Sequence, residues 1–259
     1  MLVGVIHLPA LPGSPQNRLS AAECARLAAS DARVLAEAGF DAVLVENFGD
    51  TPFFAGRAPA VTVAAMTSCA MAAREAAPRA ALGINVLRND AESALSIGVV
   101  VSAAFVRVNI HTGARVTDQG VISGDAATTL RTRHALGAAN LAIWADVDVK
   151  HSAPLGPPRP LEQEVSDLTK RAMADVVLVT GDGTGKSVDL AKLEKVKRAT
   201  DKPVIVASGA TVTTLADLAN HADGVIVGSA LRKGGIAGGP IDAALASAFA
   251  GAFRKSFTK

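Results

Sequence analysis

Aromatic side chains are the most conspicuous shortage in this 259-residue chain: Tyr is absent, Trp occurs once, and aromatic residues make up 3%. Proteins that hold single-stranded nucleic acids stack the bases on aromatic rings, so this composition argues against such a role. An excess of positive charge is also missing, because 26 Lys and Arg residues face 24 Asp and Glu residues, a net charge of +2. We therefore expect no nucleic-acid partner.

Cysteine and long hydrophobic runs are equally scarce. Cys24 and Cys69 lie in Ala-rich stretches and form no metal-binding spacing, so we expect both to be small buried side chains. The longest mostly apolar run, residues 95–106, is too short to cross a bilayer. The chain opens on an apolar strand with no basic region before it, unlike a signal peptide. These features predict a cytoplasmic protein without a transmembrane segment.

Short β-type runs alternate with longer helical stretches along the whole chain. The predicted strands are residues 2–8, 42–46, 81–86, 104–109, 141–149, 175–180, 203–207 and 224–228. The predicted helices are residues 20–38, 59–77, 90–100, 124–136, 160–173, 187–199, 211–220 and 240–253. Alternating units form a parallel sheet, and eight of them with no compositional break favour one closed (β/α)₈ TIM barrel over residues 1–259.

Helix starts are marked by capping residues at several of these boundaries. Ser20 with Glu23 three residues later is typical of a capping box. Asp90 and Ser187 are predicted N-caps, and Pro240 fits the first turn of the last helix.

The loops that follow strands are long and polar, whereas those that follow helices are short. In a barrel the strand-to-helix loops build the C-terminal face, where active sites lie, so this asymmetry predicts a binding site at that face. The alternative is that long surface loops are merely tolerated, since lengthening a loop costs little free energy.

Small residues follow the last three predicted strands, at the positions where barrels often bind phosphate. The predicted phosphate-binding residues are Gly181, Gly183, Ser208, Gly209, Gly228 and Ser229. Small side chains let backbone N–H groups approach an oxyanion, and serine adds a donor. The alternative is that these glycines only form tight turns. Residues 181–187 are one residue too short for a P-loop.

The fifth predicted strand ends in the most informative segment. Asp146, Asp148 and Lys150 alternate with apolar residues, so we expect all three to share one face and to point into the barrel mouth. A lysine beside two carboxylates can move protons or, with a lowered pKa, form an imine with a carbonyl. The alternative is a structural network of ion pairs.

Other polar side chains lie at or just beyond strand ends: Glu46, Asn85, Arg107, Asn109 and His111. Among them Glu46, Asn109 and His111 are taken as candidate catalytic residues, with Glu46 and Asn109 orienting substrate hydroxyls or a metal. His7 ends the first strand, and the Leu-Pro that follows it favours a structural role.

A divalent metal is an alternative use of the same residues. Glu46, Asp146, Asp148 and His151 could hold Mg²⁺ or Mn²⁺ beside a substrate phosphate. No HxH or HExxH spacing is present, so a dedicated zinc site is not expected.

Seven ordered segments carry a family resemblance. They are VGVIHLPALPGSP at 3–15, DAVLVENFGD at 41–50, LGINVLRND at 82–90, FVRVNIHTG at 105–113, VTDQG at 116–120, ADVDVKH at 145–151 and VTGDGTG at 179–185. Together they resemble the BtpA/SgcQ family over nearly the whole chain. The resemblance implies a barrel similar to the ribulose-phosphate-binding group. It also implies either a role in photosystem I biogenesis at a membrane surface or an enzyme encoded with sugar-transport genes.

The hypothesis favoured by the strand ends is an enzyme that acts on a small phosphorylated, sugar-like substrate as an isomerase, epimerase or aldol-type lyase. The first alternative is a non-catalytic assembly or stability factor for a membrane-protein complex, which would expose an apolar patch. The second is a metal-dependent hydrolase of nucleotides or nucleoside phosphates. The Ala-rich helices at 59–77 and 240–253 leave a homo-oligomer open.

Overall fold

The computed structural model describes residues 1–181, 183 and 187–257, and these residues form a closed barrel of eight parallel strands. The barrel strands are β1 Leu2–His7, β2 Ala42–Glu46, β3 Ala81–Asn85, β4 Phe105–Val108, β7 Ala142–Val147, β9 Val176–Val179, β10 Val204–Val206 and β11 Gly224–Val227. Their order around the barrel is β1-β11-β10-β9-β7-β4-β3-β2. The predicted TIM barrel is confirmed, with each strand inside or equal to its predicted range.

A second, small sheet stands beside the barrel. It contains β5 Ala114–Thr117, β6 Gly120–Ser123 and β8 Ser152–Pro154, all antiparallel, in the order β6-β5-β8. Sequence reasoning assigned these residues to loops, because strands of three or four polar-rich residues carry too little alternation to stand out. Ile122 of this sheet packs on Ile110 and Val149 just beyond β4 and β7, so the sheet covers one side of the barrel mouth.

Helices surround the barrel: α1 Ala21–Ala38, α2 Ala60–Ala76, α3 Ala91–Val100, α4 Ala126–Ala135, α5 Leu161–Ser166, α6 Leu190–Arg198, α7 Leu215–Leu218 and α8 Ala243–Phe257. The predicted capping box is present, because Ser20 caps the Glu23 amide and the Glu23 carboxylate accepts from the Ser20 backbone. Asp90 also caps α3 as predicted.

Three predicted helices differ in their ends. Asp189, rather than Ser187, caps α6 by accepting from Ala191. Asp242, rather than Pro240, provides the oxygen that accepts from the first turn of α8. The helix predicted at 211–220 is reduced to the single turn α7, since three threonines at its start bond to one another instead. Threonine and similar residues offer the backbone such local alternatives to a helix.

The barrel interior is filled in layers by side chains that alternate along the strands. Phe105 of β4 and Trp144 of β7 stack inside it with ring centroids 3.8 Å apart. Gly83 of β3 makes room for them, because a Cβ there would lie 2.2 Å from the Phe105 ring. Two residues further along the same strands, Arg107 and Asp146 occupy the mouth. The single tryptophan therefore forms the floor beneath the polar layer.

The cysteines and the helix lengths also agree with the sequence. Cys24 and Cys69 are buried and free, which confirms that they act as small core residues. Among the helices in the described part of the chain, none is long and apolar enough to span a bilayer.

Candidate active site

A bowl of about 480 Å³ lies at the C-terminal mouth of the barrel. Its volume falls in the range of ordinary small-molecule sites. It is lined by Glu46, Phe48, Thr51, Phe53, Leu87, Arg88, Arg107, Asn109, Asp118, Lys150 and His151. The strand-to-helix loops thus form a pocket at the face that loop length predicts.

Strand register places three polar side chains side by side at this mouth. His7 of β1 pairs with Glu46 of β2, and Glu46 pairs with Asn85 of β3. The Asn85 amide donates to Glu46 Oε2 at 2.6 Å, and His7 Nε2 lies 4.0 Å from Glu46 Oε1. Glu46 is therefore oriented from both neighbouring strands while it still faces the bowl.

A buried ion pair forms the centre of the polar layer. Arg107 Nε and Nη2 donate to the two oxygens of Asp146, each at 2.9 Å, in the bidentate geometry that fixes both groups. Asn109 Nδ2 donates to the same carboxylate at 3.1 Å, and its own Oδ1 is buried without a partner among the described residues. Arg107 Nη1 also lies 3.9 Å from Glu46 Oε2. These contacts tie Glu46, Asp146 and Asn109 into one network.

Lys150 faces this network from the segment after β7. Its backbone is fixed on both sides, because its N–H donates to the Thr180 hydroxyl at 3.0 Å and its carbonyl accepts from Arg88 at 2.8 Å. Within the described residues no carboxylate forms an ion pair with its ammonium. Burial lowers the pKa of Lys150, and the charge of Arg107 lowers it further against the opposing effect of Glu46. Such an amine loses its proton more readily than an exposed lysine.

A narrow recess opens beside the bowl at the loops after β10 and β11. Four of the predicted phosphate-binding residues line it together: Ser208, Gly209, Gly228 and Ser229. Glu46, Arg107 and Lys150 line both the recess and the bowl, so the two cavities adjoin. The Ser208 hydroxyl is buried with no hydrogen-bond partner among the described residues. A buried hydroxyl of this kind is expected to have a hydrogen-bond partner, either an ordered water or a ligand.

His7 and Gly228 shape this recess jointly. A Cβ at Gly228 would lie 2.9 Å from His7 Cε1, so only glycine fits beside the imidazole ring. His7 Nδ1 accepts from the Gly238 N–H at 3.1 Å, which assigns the ring proton to Nε2 on the Glu46 side. Burial lowers the pKa of His7 well below its usual value, and the charge of Arg232 lowers it further. The ring is thus a neutral donor rather than only a structural side chain.

Arg232 holds the loop after β11 in place. Its guanidinium donates to the carbonyls of Gly228 at 2.7 Å, Gly239 at 3.0 Å and Val5 at 3.1 Å. Because Arg232 is buried beneath the loop, its side chain supports the recess from below rather than lining it.

The remaining predicted phosphate-binding residues, Gly181 and Gly183, are buried after β9 but are not among the described residues that line the recess. The intervening Asp182 and the neighbouring Thr184, Gly185 and Lys186 lie outside the described residues. The predicted third wall of the phosphate site therefore stays a prediction.

Asp148 departs from the predicted shared face. Strand β7 ends at Val147, and Asp148 has a positive φ of 49°, which breaks the alternation and turns its side chain away from the mouth. It forms ion pairs with Arg115 of β5 and, at 2.6 Å, with Lys192 of α6. The prediction that Asp146, Asp148 and Lys150 point the same way is wrong for Asp148, which instead connects the small sheet to the barrel.

His111 also lies away from the bowl. Its Nε2 contacts the Ala172 carbonyl at 3.0 Å, and its Nδ1 is buried without a partner in the described part of the chain. The ring packs against the turn after α5, so the expected place of His111 in the catalytic group is wrong.

The four side chains suggested for a metal are not brought together. Asp146 is held by Arg107, Asp148 points to the small sheet, and His151 is exposed at the rim of the bowl. Across the described residues no group of three or more His, Cys, Asp or Glu side chains is arranged to hold a metal ion. This donor set therefore does not fit Mg²⁺ or Mn²⁺.

Arg88 is the important lining residue that sequence reasoning missed. It follows β3 by three positions, is 6% exposed, and reaches the bowl from the loop between Leu87 and Asn89. The available signal was a charged residue in the strand-to-helix loop three positions after a buried strand, on the face where Glu46 ends the neighbouring strand.

Comparison with known proteins identifies related chains over nearly the full length. The sequence profile of the BtpA family matches residues 1–255. An uncharacterized protein of Methanocaldococcus jannaschii is 42% identical over 241 residues, covering 93% of this chain and 90% of its own. The photosystem I biogenesis protein BtpA of Synechocystis is 41% identical over 249 residues, covering 96% of this chain and 86% of its own.

Solved structures with this fold are much more distant in sequence. Thiamine phosphate pyrophosphorylase of Pyrococcus furiosus superposes with a TM-score of 0.63 at 14% identity, covering 99% of this chain and 96% of its own. A 3-hexulose-6-phosphate synthase superposes with a TM-score of 0.59 at 18% sequence identity, covering 97% of this chain and 98% of its own. KGPDC of Streptococcus mutans superposes with a TM-score of 0.58 at 16% sequence identity, covering 99% of this chain and 98% of its own. At these identities the likeness is one of fold.

Proposed function

This chain belongs to the BtpA family, and we propose that it is an enzyme that acts on a small phosphorylated, sugar-like substrate. The observation that carries the proposal is the adjacency of two cavities. One is a recess of small residues in which the Ser208 hydroxyl has no partner among the described residues, and the other is a bowl in which the half-buried Lys150 has no ion-pair partner among them. Two of the superposed structures, thiamine phosphate pyrophosphorylase and 3-hexulose-6-phosphate synthase, are named for a phosphorylated compound, and their fold is shared here.

Phosphate would be bound by the backbone N–H groups at Gly209 and Gly228 and by the hydroxyls of Ser208 and Ser229. Gly209 has a φ of 75°, a left-handed conformation that favours glycine and can turn successive N–H groups toward one anion. Neutral His7 adds the Nε2–H donor beside Gly228. Among the described residues that line the recess, no carboxylate other than Glu46 at its edge is present, which suits an anionic group.

Lys150 would act at the substrate carbonyl in the bowl. In an aldol-type reaction its neutral amine attacks the carbonyl carbon. One amine proton and one further proton pass to the carbonyl oxygen, which leaves as water to give an iminium ion. In an isomerase or epimerase the ammonium would instead stabilise charge on that oxygen while Glu46 moves the proton from the neighbouring carbon. The lowered pKa of Lys150 supports the first route, since it raises the fraction of free amine.

The test begins with a panel of aldose and ketose phosphates, with the unphosphorylated sugars as controls. We expect the phosphate esters to raise the melting temperature of the wild type, and at least one to be converted, as followed by NMR. Lys150→Met should bind the converted ester but turn it over at least about 10³-fold more slowly. Borohydride trapping with mass spectrometry separates the routes, because only an iminium ion would leave the sugar covalently attached to Lys150. Unchanged turnover in Lys150→Met would remove this residue from the mechanism.

An assembly or stability factor is the second candidate, since a 41% identical relative is named for photosystem I biogenesis. The small sheet carries one feature that this role predicts, because Val116 and Val121 pair across β5 and β6 and are 42% and 53% exposed. Failure of every phosphate ester to bind would favour this candidate. A metal-dependent nucleotide hydrolase would instead lose its activity on treatment with a chelator.

A further inference from the structure

Two buried arginines face the bowl, and their charges are compensated differently. Arg107 is neutralised by a bidentate contact with Asp146. Arg88 is equally buried, 6% exposed, yet within the described residues no carboxylate lies within 4.0 Å of it. Its Nη2 donates to the Lys150 carbonyl at 2.8 Å, and its Nε is buried with no hydrogen-bond partner in the part of the chain that the structure describes.

A structural role alone leaves most of the Arg88 guanidinium unused. The bond to the Lys150 carbonyl takes one of five N–H donors, and a buried cation without a counter-ion is costly. Burial lowers the pKa of Arg88 against the opposing charges of Asp146, Asp118 and Glu46, none of which forms an ion pair with it among the described residues. Since the side chain lines the bowl, a bound anion would supply the missing partner.

Strand order shows where that anion would lie relative to the phosphate recess. In the sequence β1-β11-β10-β9-β7-β4-β3-β2, strands β3 and β10 are four positions apart, so they face each other across the eight-stranded barrel. Arg88 follows β3 and Ser208 follows β10. Lys150 follows β7, which lies midway between them, and its side chain lines both cavities.

Building on the proposed function, we propose that the substrate is a phosphorylated sugar acid. Its phosphate occupies the recess at Ser208, and its carboxylate is bound by Arg88 on the opposite side of the mouth, with the reacting carbons at Lys150 between them. A planar guanidinium matches a planar carboxylate in two parallel hydrogen bonds. The single positive charge of Arg88 also equals the single negative charge of a carboxylate, whereas a phosphate monoester carries about −1.5 to −2.

Two pairs of phosphate esters measure the contribution of the carboxylate to binding, because the members of each pair differ only in that group. 6-Phosphogluconate and sorbitol 6-phosphate share six carbons and a phosphate but differ at C1, which is a carboxylate in one and an alcohol in the other. 3-Phosphoglycerate and glycerol 3-phosphate form the same pair on three carbons. For at least one pair we expect calorimetry on the wild type to give about 10- to 100-fold tighter binding of the acid.

Variants then assign the preference to Arg88. Arg88→Met should bring the ratio of the two dissociation constants to about one while the alcohol still binds. Arg88→Lys retains the positive charge but loses the paired N–H donors of the guanidinium, so it should keep only part of the preference for the acid. It also provides the test if Arg88→Met does not fold. Arg57→Met is the matched control, because Arg57 is an exposed arginine paired with Glu92 outside the bowl, and its ratio should equal that of the wild type.

The outcomes separate this inference from the proposed function. Equal binding of acid and alcohol by the wild type, weakened for both by Ser208→Ala, would overturn the carboxylate subsite and leave the phosphate site standing. An unchanged ratio in both Arg88 variants would overturn the role of Arg88. Tighter binding of fructose 1,6-bisphosphate than of either acid would overturn the carboxylate in favour of a second phosphate. No binding of any phosphate ester would reject the proposed function itself.

Discussion

The two halves of the barrel mouth are built on different principles. Strands β1 to β4 and β7 end in long polar and charged side chains that hold one another through hydrogen bonds and ion pairs. Strands β10 and β11 are followed by loops that contain Ser208-Gly209 and Gly228-Ser229. These small residues line the recess, and the Ser208 hydroxyl has no partner among the described residues. Lys150 stands between the two halves and lines the cavities of both.

This difference separates two tasks. Side chains that fix one another can hold a charge or a proton in a defined position, which is what chemistry at a carbonyl requires. Small residues allow backbone N–H groups to surround an anion that takes no part in the reaction. We therefore expect substitutions in the charged half to affect stability and turnover, and substitutions in the small-residue half to affect phosphate binding. Four experiments test this division, from the largest expected effect to the smallest.

Asp146→Asn should lower the free energy of unfolding by about 3–5 kcal/mol, because it leaves Arg107 buried without its bidentate partner. Asp148→Asn is the matched control two residues later, where the carboxylate is 42% exposed, and should cost about 1 kcal/mol or less. Urea denaturation measures both. Equal losses in the two variants would contradict the assignment of Asp146 to the interior and Asp148 to the outside.

Glu46→Gln should reduce turnover of whichever phosphosugar the wild type converts by about 10²–10³-fold, since the amide keeps the contact with Asn85 but cannot accept a proton. Phosphate affinity should change little. Glu92→Gln, an exposed ion-pair partner far from the mouth, should behave as the wild type. Normal turnover in Glu46→Gln would exclude Glu46 as the general base.

Gly228→Ala should weaken phosphate binding by about tenfold or more and destabilise the protein by about 1–3 kcal/mol. The physical reason is the 2.9 Å approach of the new Cβ to the His7 ring, which Gly238 and Phe48 hold in place. Gly251→Ala in α8 is the control, because its Cβ would meet nothing within 4 Å. The readout is calorimetric titration with inorganic phosphate, and wild-type affinity in Gly228→Ala would argue against the recess.

Stability should fall as the pH is lowered through the range below 6.5. The pKa of His7 is lowered in the folded state, so between that value and 6.5 the unfolded chain binds more protons than the folded one. The slope contributed by one such group is at most about 1.4 kcal/mol per pH unit. His111, whose pKa burial also lowers, adds to it. His7→Asn, whose amide oxygen can still accept from Gly238, should flatten the dependence, whereas an unaltered slope would show that His7 titrates normally.

Much of the fold could be predicted because it rests on local patterns. The apolar β-type runs and the periodic helices repeat eight times, and a repeat of that kind has one well-known closed arrangement. Ser20 and Asp90 were recognisable because capping acts within three residues. The small sheet was missed for two reasons. Strand β8 pairs with β5 across more than 30 residues of chain, as Thr117 with Ser152 and Arg115 with Pro154, and the hairpin of β5 and β6 is too short to show a clear alternation.

The site was predictable where a side chain's direction follows from regular strand geometry. Glu46, Asp146 and the Ser208 and Gly228 loops lie where alternation and strand order put them. Asp148 was not predictable in this way, because a single residue with positive φ ends the alternation. Neither was His7, whose neighbours Gly228 and Gly238 come from the other end of the chain.

The sequence by itself determined the barrel, the face at which polar residues collect, and the small-residue loops after β10 and β11, because each depends on spacing along the chain. The tertiary structure decided which of those residues meet. It turned Asp148 and His111 away, brought His7 and Arg88 to the site, and set Arg88 opposite Ser208. The physical reason is closure of the sheet: neighbours around a barrel are fixed by strand order and register, which no single segment of sequence contains.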